Sequence, residues 1–461
     1  MAVIDGDQIR RPSLSQSTLH KRKAPDLLCT TLSGIRAPEI NHFTIAEYNL
    51  SLMTVSPQGS RLHQIRSDAL SLILDKDGLR YKPVQLPDQD NDAAVDQDNG
   101  HDATFRPLFC IDDQGNPVAV QPSSKSRPSS TLVTWHPILP LIAIAMADGS
   151  VYVYNVDNRC WSIALHHRQQ SSPRHIQYCT THPNILAVLC GTHVCLWQIA
   201  PGSQSASLRI LRPSDWSDSV RTRGHGSLSF NNTGRLLAFS NEGQPSICIW
   251  DLSSVSPSRP QSSLAMRLYS VSLVQFSSNG RYLVALSSSS PHFFIWDTQQ
   301  WQCMRWSTGS TPAHTLSWHP TVDIMIMANI ASTKIHTVRL CPLECSTGLD
   351  VGPSLDDDPL AGLGGNVKQV VWSPTSERVA VSFEDGFDCS DLIAILSTSV
   401  QHDDPIRFTP IGYIRGPSSK TANPPVAMQF RPQFDAGALL AVLWSHGQLT
   451  FYPMLFVGTR S

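Results

Sequence analysis

Seven times along this chain a short alternating run ends in an aromatic residue, and a second, apolar run follows within a few positions. The first runs are TLVTWHP (131–137), RHIQYCTTHP (174–183), GSLSFNNTG (226–234), VSLVQFSSNG (271–280), HTLSWHP (314–320), KQVVWSP (368–374) and VAMQFRP (426–432). Their anchors are Trp135, Tyr178, Phe230, Phe276, Trp318, Trp372 and Phe430. The second runs are LIAIAMA, ILAVLC, LLAFS, YLVALS, IMIMAN, VAVSF and LLAVLW. A strictly alternating third run closes most units: SVYVYN, HVCLWQ, SICIWD, HFFIWD and QLTFYP. From anchor to terminal aromatic the spacing is 19 for Trp135 to Tyr154 and Tyr178 to Trp197, 20 for Phe230 to Trp250 and Phe276 to Trp296, and 21 for Phe430 to Phe451. A repeat this regular constrains the fold more than any other feature of the chain.

Alternation over four to six residues marks a strand with one face more buried than the other, whereas a continuous apolar run marks a strand buried on both. Three such strands and a shorter fourth make one blade of a β-propeller. The repeat length of roughly 40–45 residues, with Trp-Asp pairs at 250–251 and 296–297, resembles WD40 repeats. One blade cannot bury both faces of its sheet, but seven in a ring can. The expected fold is therefore all-β, a seven-bladed WD40 β-propeller. Its structural core residues are Trp135, Tyr178, Trp197, Phe230, Trp250, Asp251, Phe276, Trp296, Asp297, Trp318, Trp372 and Phe430. In FFIWDTQQWQCMRW (293–306), Trp296 should end a third strand and pack against the next blade. Asp297 should open a turn, and Trp301 to Trp306 should span the outer strand. These tryptophans read as core rather than as a platform for stacking a ligand.

The last unit, ending near Tyr452, lacks an outer strand. A segment upstream of Thr131 should supply it and remove a free sheet edge. The candidates are NHFTIAEYN (41–49) and RPLFCID (106–112). The expected organisation is a flexible tail over 1–40, a closing strand over 41–56, an acidic and Ser/Pro-rich linker over 57–130, and the propeller over 131–458. Within the linker, SRLHQIRSDALSLILDKDG (60–78) has a helical pattern, and LPDQDNDAAVDQDNGHD (86–102) reads as an exposed loop. A further long loop is expected over 341–365. Lys21, Arg22 and Lys23 form a short basic triplet, better read as a solvated tail than as an import signal.

No motif for catalysis is legible: there is no G-x-x-x-x-G-K-[ST] loop, no G-x-S-x-G elbow and no H-E-x-x-H pair. His136, His182 and His319 each precede Pro in equivalent turns, so the repeat accounts for them. His166 and His167 read as a solvated turn. The cysteines, among them Cys179, Cys190, Cys195 and Cys248, lie mostly in apolar runs and read as reduced core thiols. Cys341 and Cys345 lack a second ligand pair, so no zinc site is expected there. Catalytic, cofactor-binding and metal residues are therefore all assigned as none. A net charge of −2 gives no general attraction for phosphate, so nucleic-acid binding is not expected. The N-terminus MAVIDGDQIRR has no apolar signal region, and LIAIAMA (141–147), the longest apolar stretch, is too short to span a bilayer.

Beyond the repeat, several strings resemble the aladin family of WD-repeat nucleoporins. They are FFIWDTQQWQCMRW with HTLSWHP, RPQFDAGALLAVLWSHGQLTFYPMLFV (431–457), VYVYN (151–155), LGG (363–365) leading into VVWSPTSERVAV (370–381), and IGYIRG (411–416). HFTIAEYN (42–49) resembles the family's N-terminal strand, which favours it for ring closure. The resemblance spans roughly 130–458, with a fainter stretch at 41–55. It implies a non-catalytic subunit of the nuclear pore, held at the nuclear envelope by an integral-membrane nucleoporin, contacting other pore proteins and supporting transport of selected proteins. It also implies a link to spindle poles in mitosis. Two features depart from the animal pattern: residues 57–130 are shorter and more acidic, and no long Pro-rich tail follows the last strand. The alternative from another class is a WD40 substrate receptor for ubiquitin ligation or a chromatin-peptide reader, signalled by exposed aromatics and acids around the channel.

Overall fold

The computed structural model describes residues 43–48, 50–55, 73–75, 78–86, 109–111, 117–119, 130–200, 206–213, 216, 225–242, 244, 246–253, 262–265, 271–340, 365–384, 389–399, 406–416 and 423–456. Every secondary-structure element among them is a strand. The expected tail over 1–40 and nearly all of the acidic stretch over 86–102 lie outside the described residues, as do 341–364. Leu86, at the head of the acidic stretch, is described and buried.

The strands form seven antiparallel blades arranged as a β-propeller. Their innermost strands, here a, end at the anchors: Ser130–Trp135, His175–Tyr178, Gly226–Phe230, Val271–Phe276, Ala313–Trp318, Val367–Trp372 and Pro425–Phe430. Strands b, c and d follow outward. Blade 4 shows the pattern with Val271–Phe276, Tyr282–Ser287, His292–Asp297 and Gln302–Ser307, each paired with the next. Blade 5 has three strands among the described residues.

Each interface between neighbouring blades contains one apolar cluster, and the seven clusters make an unbroken ring. The continuous apolar runs hide a second alternation, in size. In LIAIAM of blade 1, Ile142, Ile144 and Met146 face blade 7, while Ala143 and Ala145 face blade 2. In blade 4 the faces alternate in the same way but the size difference is confined to Ala285: Tyr282, Val284 and Leu286 face blade 5, while Leu283 and Ala285 face blade 3. Large and small side chains on opposite faces let adjacent sheets interdigitate without voids.

Trp296 is buried, but against Ile247 and Ile249 of the preceding blade rather than the next one. The expected direction is therefore corrected: strand c presents Phe293 and Ile295 to blade 5, so Trp296 must face blade 3. Trp301 packs beside Trp296, while Trp306 lies on the other face and stacks on Phe293. Trp301 adopts φ 55°, and Arg159, at the matching position of the blade 1 turn, adopts φ 52°. The left-handed conformation thus belongs to this turn of the repeat.

Ring closure uses Phe43–Tyr48 and not 106–112, where Phe109–Ile111 instead pairs with Pro117–Ala119. The closing strand runs parallel to strand c of blade 7, Gln448–Leu455, with Glu47 opposite Met454 and Tyr48 opposite Leu455. In blades 1 and 4 a tight turn joins c to d and enforces antiparallel pairing. No such turn binds the N-terminal strand, which continues instead into an antiparallel hairpin with Ser51–Val55. Val84–Gln85 covers the other end of the same edge, opposite Leu449 and Gln448. The helical expectation over 60–78 is not met at its described end, where Leu74–Asp75 pairs with Gly78–Leu79.

A buried ion pair joins the closing strand to blade 6. Arg378 donates from Nε at 3.0 Å to each oxygen of Glu47 and from Nη2 at 2.7 Å to Oε1. Both side chains are buried, and the guanidinium carbon lies 4.5 Å from the Phe456 ring centroid. Thr44 adds a second tie by accepting the Arg415 N–H at 3.3 Å.

Trp296→Ala should destabilise the chain by about 3–5 kcal/mol, the cost of emptying an aromatic core site. Trp301→Ala, at a half-buried turn, should cost roughly 1–2 kcal/mol. Urea unfolding of both variants checks the ranking, and equal losses would contradict this packing.

Candidate functional site

The a strands surround a channel, and their inner edges present backbone groups that no further strand can satisfy. Side chains do so instead, and most come from the residue just before an anchor. Gln177 Oε1 accepts the Phe230 N–H at 3.2 Å, and Ser229 Oγ accepts the Phe276 N–H at 3.0 Å. Ser317 Oγ accepts the Trp372 N–H at 3.0 Å. Gln429 Oε1 accepts the Trp135 N–H at 2.9 Å, while the Trp135 indole donates to the Gln429 carbonyl at 3.1 Å. Val371 precedes the blade 6 anchor and cannot serve; Gln369, two residues earlier, bonds both the N–H and the carbonyl of Met428. A belt of side chains thus ties each of these blades to its successor. The polar residue before every anchor but Trp372 was visible in the sequence, but alternation alone assigned it no task.

One mouth of the channel opens into a cavity of about 740 Å³, lined in part by Arg174, His225, Glu242, His314, Lys368 and Glu384. Glu242 accepts the His225 N–H at 2.7 Å and the Ser288 hydroxyl at 2.6 Å. Burial raises its pKa, but these hydrogen bonds outweigh that and hold the carboxyl below its ordinary value. His314 bonds the Lys368 carbonyl at 3.1 Å, and Lys368 Nζ donates to the Pro425 carbonyl at 3.0 Å. The mouth therefore mixes both signs of charge and spends several polar groups on joining blades. No Trp or Tyr lines it among the described residues.

All twelve residues assigned to the structural core are buried. They are distributed around the ring and do not converge on one site. The Trp-Asp pairs have a divided role. Trp250 and Trp296 enter interfaces, while the carboxylates organise turns. Asp251 accepts two bonds from Arg235, at 2.9 and 2.7 Å, and one each from the Ser253 N–H and hydroxyl. The Arg235 bonds, then the Ser253 hydroxyl, hold it well below the usual carboxylate range. Asp297 accepts the Gln299 N–H at 2.9 Å.

His136 and His319 occupy matching turns. Nδ1 of His136 accepts the N–H groups of Ile138 and Leu139, and Nδ1 of His319 those of Thr321 and Val322. Each ring meets the anchor of the next blade edge-on, Tyr178 at 5.1 Å and Trp372 at 4.7 Å. Burial lowers both pKa values to about 4. His182 lies 3.1 Å from the Thr181 hydroxyl, and His166 lies 3.2 Å from that of Ser150.

One cluster was not assembled from the sequence. Cys190, His193 and Cys195, read above as core thiols and an unremarked histidine, meet at the turn joining strands b and c of blade 2. Their ligand atoms lie within 4.8 Å of one another, and all three residues are buried. The hydrogen bond between the thiols lowers the pKa of Cys190, and the same bond, with burial, raises that of Cys195. The spacing Cys-x2-His-x-Cys was the available signal, and strand alternation puts all three residues on one face.

No family profile matches the chain. Among curated proteins it is similar to aladin of Arabidopsis thaliana, 24% identical over 354 residues, which covers 70% of this chain and 75% of that protein. This chain is aladin-like. The similarity agrees with the family resemblance read from the sequence. Among solved structures it is similar in fold to a chain of the mitotic checkpoint complex, with TM-score 0.53, 18% identity and coverage of 71% and 90% of the two chains. The β-propeller domain of Myceliophteria thermophila Cps50 (Swd1) gives TM-score 0.53 at 14% identity, with coverage of 71% and 97%. These two likenesses concern the fold alone.

The buried histidines predict a pH dependence. An unfolded histidine titrates near 6.5, whereas His136 and His319 bind a proton in the folded state only near pH 4. Between these values the unfolded state binds more protons, so stability should be complete above about pH 6.5 and fall towards pH 4. Asp251 acts in a lower window, because its contribution is lost only as pH drops below its unfolded value of 3.8. Urea midpoints at pH 7.5 and 5 should differ for the natural chain and differ less for His136→Asn/His319→Asn. An unchanged difference would show that other groups carry it.

Proposed function

We propose that this aladin-like propeller is a non-catalytic interaction subunit of the nuclear pore complex. It reaches the nuclear envelope by binding an integral-membrane nucleoporin, and it supports nucleocytoplasmic transport of selected proteins. The observation that carries this reading is the similarity to aladin, which extends over 70% of the chain. The fold suits the role, because a ring with seven packed interfaces holds its outer loops in fixed positions for several partners at once. Among the described residues, no helix is long and apolar enough to cross a membrane. A protein anchor is therefore proposed, with a propeller contact of the order of 1,200–2,000 Å² as stable interfaces require. The receptor or peptide-reader alternative gains no support from the mixed-charge mouth without Trp or Tyr. A role at spindle poles rests on the resemblance alone.

Residues 41–458 carrying a fluorescent tag should concentrate at the nuclear rim, and depletion of the membrane anchor should release them into the soluble pool. Proximity labelling should then recover pore proteins as the principal neighbours. A diffuse tagged chain, or rim signal that survives loss of every transmembrane nucleoporin, would contradict the proposal.

A further inference from the structure

The turn of blade 2 that carries Cys190, His193 and Cys195 is the only place among the described residues where three His, Cys, Asp or Glu ligand atoms gather closely enough to hold a metal ion. We propose that these residues bind a divalent, thiophilic d10 cation, of which zinc is the biological representative.

The ligand set selects the metal. Two sulfurs and an imidazole suit soft and borderline cations and are poorly suited to calcium or magnesium, which take oxygen ligands. Burial selects the charge. Zinc binding would form two Zn–S bonds and release both thiol protons to solvent. Two thiolates with one divalent cation leave the site neutral overall. A monovalent cation such as Cu⁺ would leave a net negative charge among the apolar side chains of the blade 1–blade 2 interface, which is costly.

The surroundings orient the ligands. His193 Nε2 lies 2.9 Å from the Gln169 carbonyl, which has no proton and so fixes the tautomer with hydrogen on Nε2. Nδ1 is then the nitrogen left with a lone pair. A metal-bound histidine commonly donates its other N–H to a backbone carbonyl in this way. The Thr192 hydroxyl, 3.3 Å from Nδ1, can rotate away. The segment supplying the Gln169 carbonyl is itself pinned, since Gln170 donates to the Gly149 carbonyl at 2.6 Å and accepts from the Trp197 indole at 2.5 Å. Three protein ligands leave the fourth tetrahedral position to a water molecule. The ion would lock the b–c turn of blade 2, whose His193 already bonds the connection arriving from blade 1.

The test uses the full-length chain, purified under reducing conditions, with elemental analysis and titration by Zn²⁺ and Co²⁺ alone. One zinc per chain is expected, and the cobalt form should show a thiolate-to-metal charge-transfer band. Cys190→Ser and Cys195→Ser should each abolish both signals, while Cys160→Ser and Cys248→Ala should keep them. Should the serine variants fail to fold, alkylation of the natural chain decides instead: zinc should protect Cys190 and Cys195, and a chelator should expose them. A folded chain that binds no zinc, a cobalt spectrum without the thiolate band, or a Cys190–Cys195 disulfide in the reduced preparation would each overturn the assignment.

Discussion

The Glu47–Arg378 pair is the interaction on which the ring depends. A propeller is stable when every sheet face is covered and no long edge is left open, and the last blade is the one that its own segment of chain does not complete. Only two residue pairs register Phe43–Tyr48 against the blade 7 edge. The buried ion pair supplies what so short a ladder lacks. It joins positions 331 residues apart, and it ties the closing strand to blade 6 while that strand pairs with blade 7. A buried pair of this kind is a weak source of net stability but a strong source of register, because any slip strands two charges in an apolar interior. A shift of one residue along the strand would also turn Glu47 to the opposite face.

Much of this was legible in the sequence, and for an identifiable reason. Period-two alternation and aromatic anchors report burial, and burial is what defines a blade. The seven a strands therefore end at the residues the pattern marks, from Trp135 to Phe430. For the closing strand the missing outer strand of the last unit left two candidates, and the resemblance of HFTIAEYN to a family strand, not alternation, favoured the right one. What alternation cannot report is orientation and pairing across long separations. Trp296 was assigned to a face correctly as buried but towards the wrong neighbour, because a strand read alone does not reveal the order of blades around it. Parallel pairing of the closing strand was equally hidden, since no turn fixes its direction.

Polar chemistry was the harder part. Glu47 and Arg378 lie 331 residues apart, and nothing local marks either as half of a pair. Gln177, Ser229, Ser317 and Gln429 look like ordinary residues at strand ends until the a strands surround a channel with unsatisfied backbone edges. Cys190 and Cys195 look like apolar filler until the turn brings His193 beside them. In each case the meaning of the side chain comes from closure of the ring, so local pattern could name the strands but not these sites. The same closure suits the chain to the interaction role proposed for it: loops on a continuous ring keep their mutual positions without requiring each blade to be stable alone.

A double-mutant cycle on the closing pair tests this dependence most directly. Urea unfolding would be measured for Glu47→Leu, Arg378→Met and the two together in the full-length chain. If the pair fixes ring closure, each single change should cost about 3–5 kcal/mol by leaving a buried charge unpaired. The double change should recover most of that loss. Single changes whose costs are small and additive to within about 0.5 kcal/mol would contradict the account.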